Sequence, residues 1–286
     1  MIAVTGATGQ LGRLVIAALL KKVPPSGIIA AVRNVEKARD IAASGVQVRR
    51  ADYDQPETWD NALKGVDKVL LISSSEVGQR TKQHRAVIDA ARRRGVKLLA
   101  YTSVLRADTS PLGLAAEHKS TEALIRASGV PCTLLRHGWY TENYTAGIPG
   151  ALARGAVYGC AGGGRIASAT RADYAEAAAA VLTAENQAGR VYELAGDTAY
   201  TLAELAAEIS RQSGKSIGYV NLTEAGYKDL LVKAGLPEAV AALISDSDTG
   251  VSKGALYDEG HQLSRLIGRP TTALATAVAA VMESIK

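Results

Sequence analysis

Ile2-Ala3-Val4-Thr5-Gly6-Ala7-Thr8-Gly9-Gln10-Leu11-Gly12 runs a short apolar strand directly into a glycine-punctuated turn and then into an amphipathic helix. The three glycines serve different ends. Position 6 permits the tight turn, position 9 lets backbone N–H groups approach a ligand, and position 12 lets helix and strand pack closely. Phosphates placed there meet the positive end of the helix dipole. The stretch also heads a unit whose second strand, Ile28 to Val32, follows about twenty residues later, the spacing of a dinucleotide-binding βαβ unit. Gly6, Ala7, Thr8, Gly9, Gln10, Leu11 and Gly12 are therefore candidate cofactor-binding residues; the competing reading is a turn that serves packing alone.

The end of the second strand selects the nucleotide. A carboxylate there would accept from the adenosine ribose, whereas a cation would meet a 2′-phosphate. The residue is Arg33, whose planar guanidinium suits a phosphate's acceptors, so NADPH is expected over NADH. A solvated strand-end cation is the alternative for Arg33, and helix capping is the expected role of Asn34.

Apolar strands then alternate with helical stretches: Val46 to Arg49, Val69 to Ile72, Leu98 to Thr102 and Thr133 to Leu135. The alternation predicts an α/β fold, a Rossmann-type doubly wound parallel sheet. Gly45, Gly65, Gly95 and Gly129 stand where a left-handed residue would end each helix. Beyond residue 137 the pattern loosens into a loop at Gly162-Gly163-Gly164, an alanine-rich helix from Ala172 to Ala184 and a strand at Val191 to Leu194. Helices predominate from Thr201, with Thr201 and Thr223 as N-caps and a last helix from Thr272 to Ile285. The expected division is a nucleotide-binding domain over 1–137, to whose sheet strand 191–195 returns, and a smaller, mostly helical substrate-binding region over 138–286.

Of the 286 residues, 47% are hydrophobic and 21% charged, enough for both parts and typical of a soluble enzyme. The nucleotide strand starts at residue 2 and no apolar run is long enough to span a bilayer, so neither a targeting peptide nor a membrane span is expected and the compartment should be cytoplasmic. Cys132 and Cys160 lack metal-ligand spacing, which predicts no metal and two reduced thiols. The net charge of +5 selects no class of partner. Arg92-Arg93-Arg94 reads as a solvated helix end before Gly95, not as a nucleic-acid patch. The chain contains no Phe, for which no physical reason is evident.

Ligands of such sheets bind beyond the carboxyl ends of the strands, and four loops there carry chemistry. Asp52 and Tyr53 suit an adenine edge and face, or equally a helix-leading acid and a packed ring. Ser73, Ser74 and Ser75 let the chain pass close to the cofactor. Arg136-His137-Gly138-Trp139-Tyr140-Thr141-Glu142-Asn143-Tyr144 reads as the active-site wall facing the nicotinamide. Ser168-Ala169-Thr170-Arg171-Ala172-Asp173 either closes over the cofactor, through Ser168 and Arg171, or supplies a helix cap from Thr170 and Asp173 and an ion pair from Arg171.

Through Thr5 to Gly12 the chain resembles the extended and atypical short-chain dehydrogenases/reductases. Through Ser73-Ser74-Ser75-Glu76-Val77-Gly78-Gln79-Arg80, Ala107 to Ala115 and Gly138-Trp139-Tyr140 it is similar to the NmrA-like branch, and within it to the bacterial NAD(P)H:quinone oxidoreductases. Triphenylmethane reductases share the nucleotide motif but differ in the substrate loops. The superfamily's acid catalyst is a tyrosine followed four residues later by a lysine; the resemblance puts Leu114 and His118 at those positions, with Lys119 out of register. Alcohol dehydrogenation and epimerisation, which need that proton transfer, are disfavoured. Quinone reduction is not, because the acceptor is electrophilic and water can supply the proton.

The resemblance thus implies direct, flavin-free hydride transfer from NADPH to a small-molecule quinone, with no nucleic-acid partner and with oligomerisation left open. Its alternatives are a non-catalytic NADP(H) sensor and a triphenylmethane or azo dye reductase. His137, Tyr140 and His118 are candidate catalytic groups, although a solvated helix histidine is the expected reading of His118. His137 stands where relatives carry asparagine, and an imidazole there is expected to be larger and able to carry charge near neutral pH.

Overall fold

The computed structural model describes residues 1–285. In chain order the strands are β1 (Ile2–Val4), β2 (Ile28–Val32), β3 (Gln47–Arg50), β4 (Lys68–Leu71), β5 (Leu98–Val104), β6 (Cys132–His137), β7 (Ala156–Gly159), β8 (Val191–Leu194) and β9 (Gly218–Asn221). Seven of them form one parallel sheet in the order β3-β2-β1-β4-β5-β6-β8, the Rossmann-type arrangement expected from the alternation, with the strand at Val191 returned to the edge beside β6. The order reverses between β1 and β4, which opens a crevice beyond their carboxyl ends.

Near-continuous apolar runs form these strands because helices cover both sheet faces. In β2, Ile28, Ala30 and Val32 enter the core layer shared with helices Gln10–Leu20 and Arg171–Thr183. Ile29 and Ala31 enter the opposite layer, with Trp59 and helices Arg80–Arg93 and Ala115–Ser128. The helix Arg171–Thr183 buries Ala175, Ala177, Ala178 and Ala179, small side chains that allow close packing on Gln10–Leu20. Gly45, Gly65, Gly95 and Gly129 all adopt positive φ at helix ends, as their positions predict.

Strands β5 and β6 extend beyond the apolar runs that signal them. Ser103, Arg136 and His137 continue the ladder because Ser103 and Arg136 bond the buried Glu122 and His137 lies in the crevice. A third core, containing Ile148, Leu205, Ile209, Val251 and Leu256, holds the C-terminal helices together beside the crevice. It includes a small parallel ribbon of β7 and β9, which has no clear local signal: each strand is four residues long and its partner is remote in sequence. Thr201 and Thr223 cap helices as expected. The last helix spans Leu274–Ser284; Thr272 instead bonds Asp173. Among the described residues no helix is long and apolar enough to cross a membrane, and both cysteines are free.

Candidate active site

A cavity of about 1000 Å³ opens beyond the ends of β4, β5 and β6, with the glycine turn at one end and the C-terminal helices at the other. In the turn, Gly6 has φ +57°, the left-handed region that its tight bend requires. A Cβ at Gly12 would stand 2.4 Å from the Gly6 carbonyl oxygen and 2.7 Å from Ala7 Cα. Gly9 precedes the helix with no side-chain cap, leaving the first N–H groups of Gln10–Leu20 free of a side-chain acceptor. Gln10 lines the cavity, and Gly9 and Thr8 flank it on the turn, where the Thr8 carbonyl accepts from Arg13 Nε at 3.2 Å. Ala7 and Leu11 bury their side chains in the core, so of these two only the backbone can meet a ligand.

The loop after β4 is tied down through its backbone. Ser73 N–H donates to Thr102 Oγ1 at 2.9 Å, and Ser74 N–H to His84 Nε2 at 3.0 Å. His84 Nε2 is therefore an acceptor and its Nδ1–H faces Thr121 Oγ1 at 2.9 Å; burial holds this neutral ring down to about 3. Ser73, Ser74 and Ser75 all line the cavity, and the buried Ser73 hydroxyl has no partner. Arg33 projects from the end of β2 into solvent, its guanidinium 3.7 Å from the Glu76 carboxylate.

Asp52 and Tyr53 both have local partners. The Asp52 carboxylate accepts from Asp54 N–H at 3.1 Å in a turn that leads into the next helix. Tyr53 packs 5.3 Å from Trp59, its hydroxyl 3.2 Å from Thr5 Oγ1, and burial pushes that hydroxyl up to about 12.

The wall after β6 begins one residue later than its sequence suggests. Arg136 is buried in an ion network, with Nη2 2.8 Å from Glu122 and Nη1 2.8 Å from Glu193 and 3.0 Å from Asp108. Glu122 and then Glu193 raise its already high affinity for a proton, and the network makes it a tie between elements, not a cavity residue. His137, by contrast, lines the cavity. Its ring stacks on Tyr174, its Nδ1 lies 3.3 Å from Tyr140 Oη, and its buried Nε2 has no partner. Burial depresses it to about 3, so the imidazole is neutral near pH 7. The expected charge at this position is corrected on that ground.

Gly138, Trp139 and Tyr140 continue the wall. A Cβ at Gly138 would press to 3.3 Å on the carbonyls of Ala167 and Leu194. The Arg171 guanidinium covers the Tyr140 ring at 4.4 Å and donates to Asn143 Oδ1 at 2.9 Å, beside the Glu142 carboxylate. Thr170 and Asp173 form a capping box, the helix-signal reading of that loop. Ser168 is corrected as a cavity residue: it lies behind the wall, its hydroxyl 2.8 Å from Thr141 Oγ1 and 2.7 Å from Tyr200 Oη.

His118 is not a solvated helix histidine. It is 7% exposed and lines the cavity beside Leu114, with Nδ1 2.8 Å from Tyr101 Oη, and burial lowers it to about 3. A helix position faces solvent or core according to the sheet it packs on, which local sequence does not reveal. The far end of the cavity adds Tyr227 and Asp248, which no motif marks. The Asp248 carboxylate, 3% exposed, accepts from Tyr144 Oη at 3.4 Å and from Cys160 N–H at 3.1 Å, and burial pushes it up to about 6.

A parallel Rossmann-type sheet with a glycine cradle at its switch point, and an appended helical region closing a cavity against it, define a nucleotide-dependent protein of the short-chain dehydrogenase/reductase type. The model of the NmrA-like family matches residues 1–276, and the chain belongs to that family. It is 58% identical over 278 residues to quinone oxidoreductase 2 of Escherichia coli strain K12, covering 97% of each chain. The structure of the Escherichia coli NADPH-dependent quinone oxidoreductase complexed with NADPH superposes with a TM-score of 0.97, at 57% identity over 99% of this chain and 100% of that one. Citrobacter sp. triphenylmethane reductase complexed with NADP(H) superposes with a TM-score of 0.95, at 42% identity over 98% and 100%.

Proposed function

We propose that the chain is an NADPH-dependent quinone reductase that needs no flavin. One observation carries the reading: Gln10, at the start of the helix that follows the glycine turn, lines the same aromatic-walled cavity of about 1000 Å³ as His137, Trp139 and Tyr140, so a flat acceptor can lie against a nicotinamide ring. The residues present fit the cofactor. The space that a Cβ at Gly12 would fill is taken by the turn's backbone, and Ser73 Oγ and His137 Nε2 are buried polar atoms without protein partners.

Bound there, NADPH supplies a hydride. The Gly6 to Gly12 turn and the N-terminus of helix Gln10–Leu20 hold the pyrophosphate, and Arg33 at the end of β2 meets the 2′-phosphate. Ser73 to Ser75 and His137 to Tyr140 orient the nicotinamide half. Trp139, Tyr140 and Tyr144 offer flat faces to a quinone and exclude water, and holding the reactants in contact can supply much of the rate. Leu114 and His118 replace a tyrosine–lysine pair with an apolar side chain and a neutral imidazole, which suits an electrophilic acceptor better than an alcohol.

The sequence similarity to quinone oxidoreductase 2 favours this reading over an NADP(H) sensor or a dye reductase. The test is electron stoichiometry: flavin-stripped protein should oxidise one NADPH per quinone with no semiquinone signal in electron paramagnetic resonance. A requirement for added flavin, or a semiquinone proportional to turnover, would overturn it.

A further inference from the structure

Reduction of a quinone to its hydroquinone adds one hydride and one proton. The hydride comes from the nicotinamide; the proton must reach an oxygen left with negative charge. Among the described residues, most titratable groups lining the cavity are poor sources. His118 and His137 are held neutral by burial, the Arg171 and Glu142 charges face each other, and Arg80 lies 3.9 Å from the Glu117 carboxylate.

Tyr144 and Asp248 differ. They come from helices Thr141–Thr145 and Glu238–Ser252, both line the cavity, and the Tyr144 hydroxyl meets Asp248 Oδ1. The second carboxylate oxygen accepts from Cys160 N–H, which holds the carboxyl beside Tyr144. Resting on the quinone-reductase reading, we propose that Tyr144 and Asp248 form the proton path of the reaction, Tyr144 donating to the reduced quinone oxygen and Asp248 resupplying Tyr144.

In this step the Tyr144 O–H bond breaks as a new O–H bond forms on the substrate. The Asp248 carboxyl proton moves to the Tyr144 oxygen, and the carboxylate recovers a proton from water. The path is open only while Asp248 is protonated, because the ionised carboxylate has no proton to pass on and only accepts a hydrogen bond from the Tyr144 hydroxyl.

Burial opposes ionisation of the Asp248 carboxyl, while the hydrogen bonds from Cys160 N–H and Tyr144 Oη favour the charged form. The groups that face it from other elements are Tyr144, the Cys160 thiol, Tyr219 and Tyr227, with Arg154 near Tyr227. Cys160, Tyr219 and Tyr227 all have their own deprotonation opposed by burial. Glu224 is bound by Thr249 Oγ1 at 2.9 Å. Burial places the Asp248 transition near pH 6, within reach of a kinetic experiment.

The experiment compares wild type, Asp248→Asn and Tyr144→Phe with saturating NADPH and 1,4-benzoquinone across mildly acidic to alkaline pH. Carbon-13 nuclear magnetic resonance of the Asp248 carboxyl is followed in parallel in the free protein. Asn retains the acceptor for Cys160 N–H, and NADPH affinity in each variant reports whether the cavity survives. The expected result is a wild-type kcat that falls as pH rises through the carboxyl transition seen by resonance. Both variants should lose that limb and about 10-fold or more in kcat on the acidic side, with a smaller solvent isotope effect and unchanged NADPH affinity. An Asp248→Asn variant that keeps the wild-type pH profile and kcat would overturn the proton path alone. Absence of quinone turnover in the wild type would overturn the reading on which it rests.

Discussion

The imidazole of His137 stacks on the buried ring of Tyr174 with centroids 4.2 Å apart and planes 21° from parallel. Tyr174 in turn donates to the carbonyls of Trp139 and Leu194, so the stack joins the cavity wall to the helix Arg171–Thr183 and to β8. An aromatic floor holds a neutral ring at the site, and the fold is committed to that neutrality.

Acid sensitivity follows. His84, His118 and His137 each have a folded pKa lowered to about 3, from an unfolded value near 6.5. Between these values the unfolded chain binds the proton that the folded chain refuses. Their contribution is therefore intact above about pH 6.5 and is lost as pH falls toward 3, by about 3 kcal/mol per histidine near pH 4.5. The urea midpoint should drop steeply below pH 6.5, and His137→Gln should flatten part of that slope. A midpoint independent of pH down to about 4.5 would contradict the buried, neutral assignment.

Gly12→Ala should abolish NADPH binding and cost several kcal/mol of stability, because its Cβ would stand 2.4 Å from the Gly6 carbonyl and neither backbone segment can yield cheaply. Thermal unfolding and a fluorescence titration with NADPH measure the two effects. A variant that binds NADPH normally would remove the steric case for the cradle.

Arg33→Ala should weaken NADPH by about 10- to 100-fold, the loss of a charge-assisted contact, while leaving NADH nearly unchanged. The side chain is solvent-exposed at the end of β2, so the fold should be unaffected. Equal losses for both cofactors would sink the 2′-phosphate assignment.

Arg136→Met separates structure from chemistry. It removes the buried two-point partner of Glu122, 1% exposed, leaving only the half-exposed Arg126 at 3.1 Å as its cation, and should cost about 3 kcal/mol. The fraction that remains folded should keep its KM for NADPH and quinone. A selective rise in KM with stability intact would return Arg136 to the cavity wall.

Much of this organisation was legible in the chain because its signals are local. Thr5 to Gly12, the apolar strands, the glycine stops and the threonine caps each declare themselves within a few residues. Tertiary context decided the rest. The Arg136 side chain reads as a site residue until Glu122 and Glu193 are brought to it by neighbouring elements. His118 lies on a helix whose buried face depends on how the sheet is covered, and Ser168 is hidden by Thr141 and Tyr200. Asp248 carries no motif: its meaning comes from Tyr144, 104 positions away.

Oxidation of NADPH by a simple benzoquinone or naphthoquinone, followed at the reduced-nicotinamide absorbance with flavin-free protein and with NADH in parallel, tests the central claim most directly. Rapid turnover that prefers NADPH is the predicted result. Tight NADPH binding with no turnover across several quinones would contradict it and would make the chain a sensor of NADP(H).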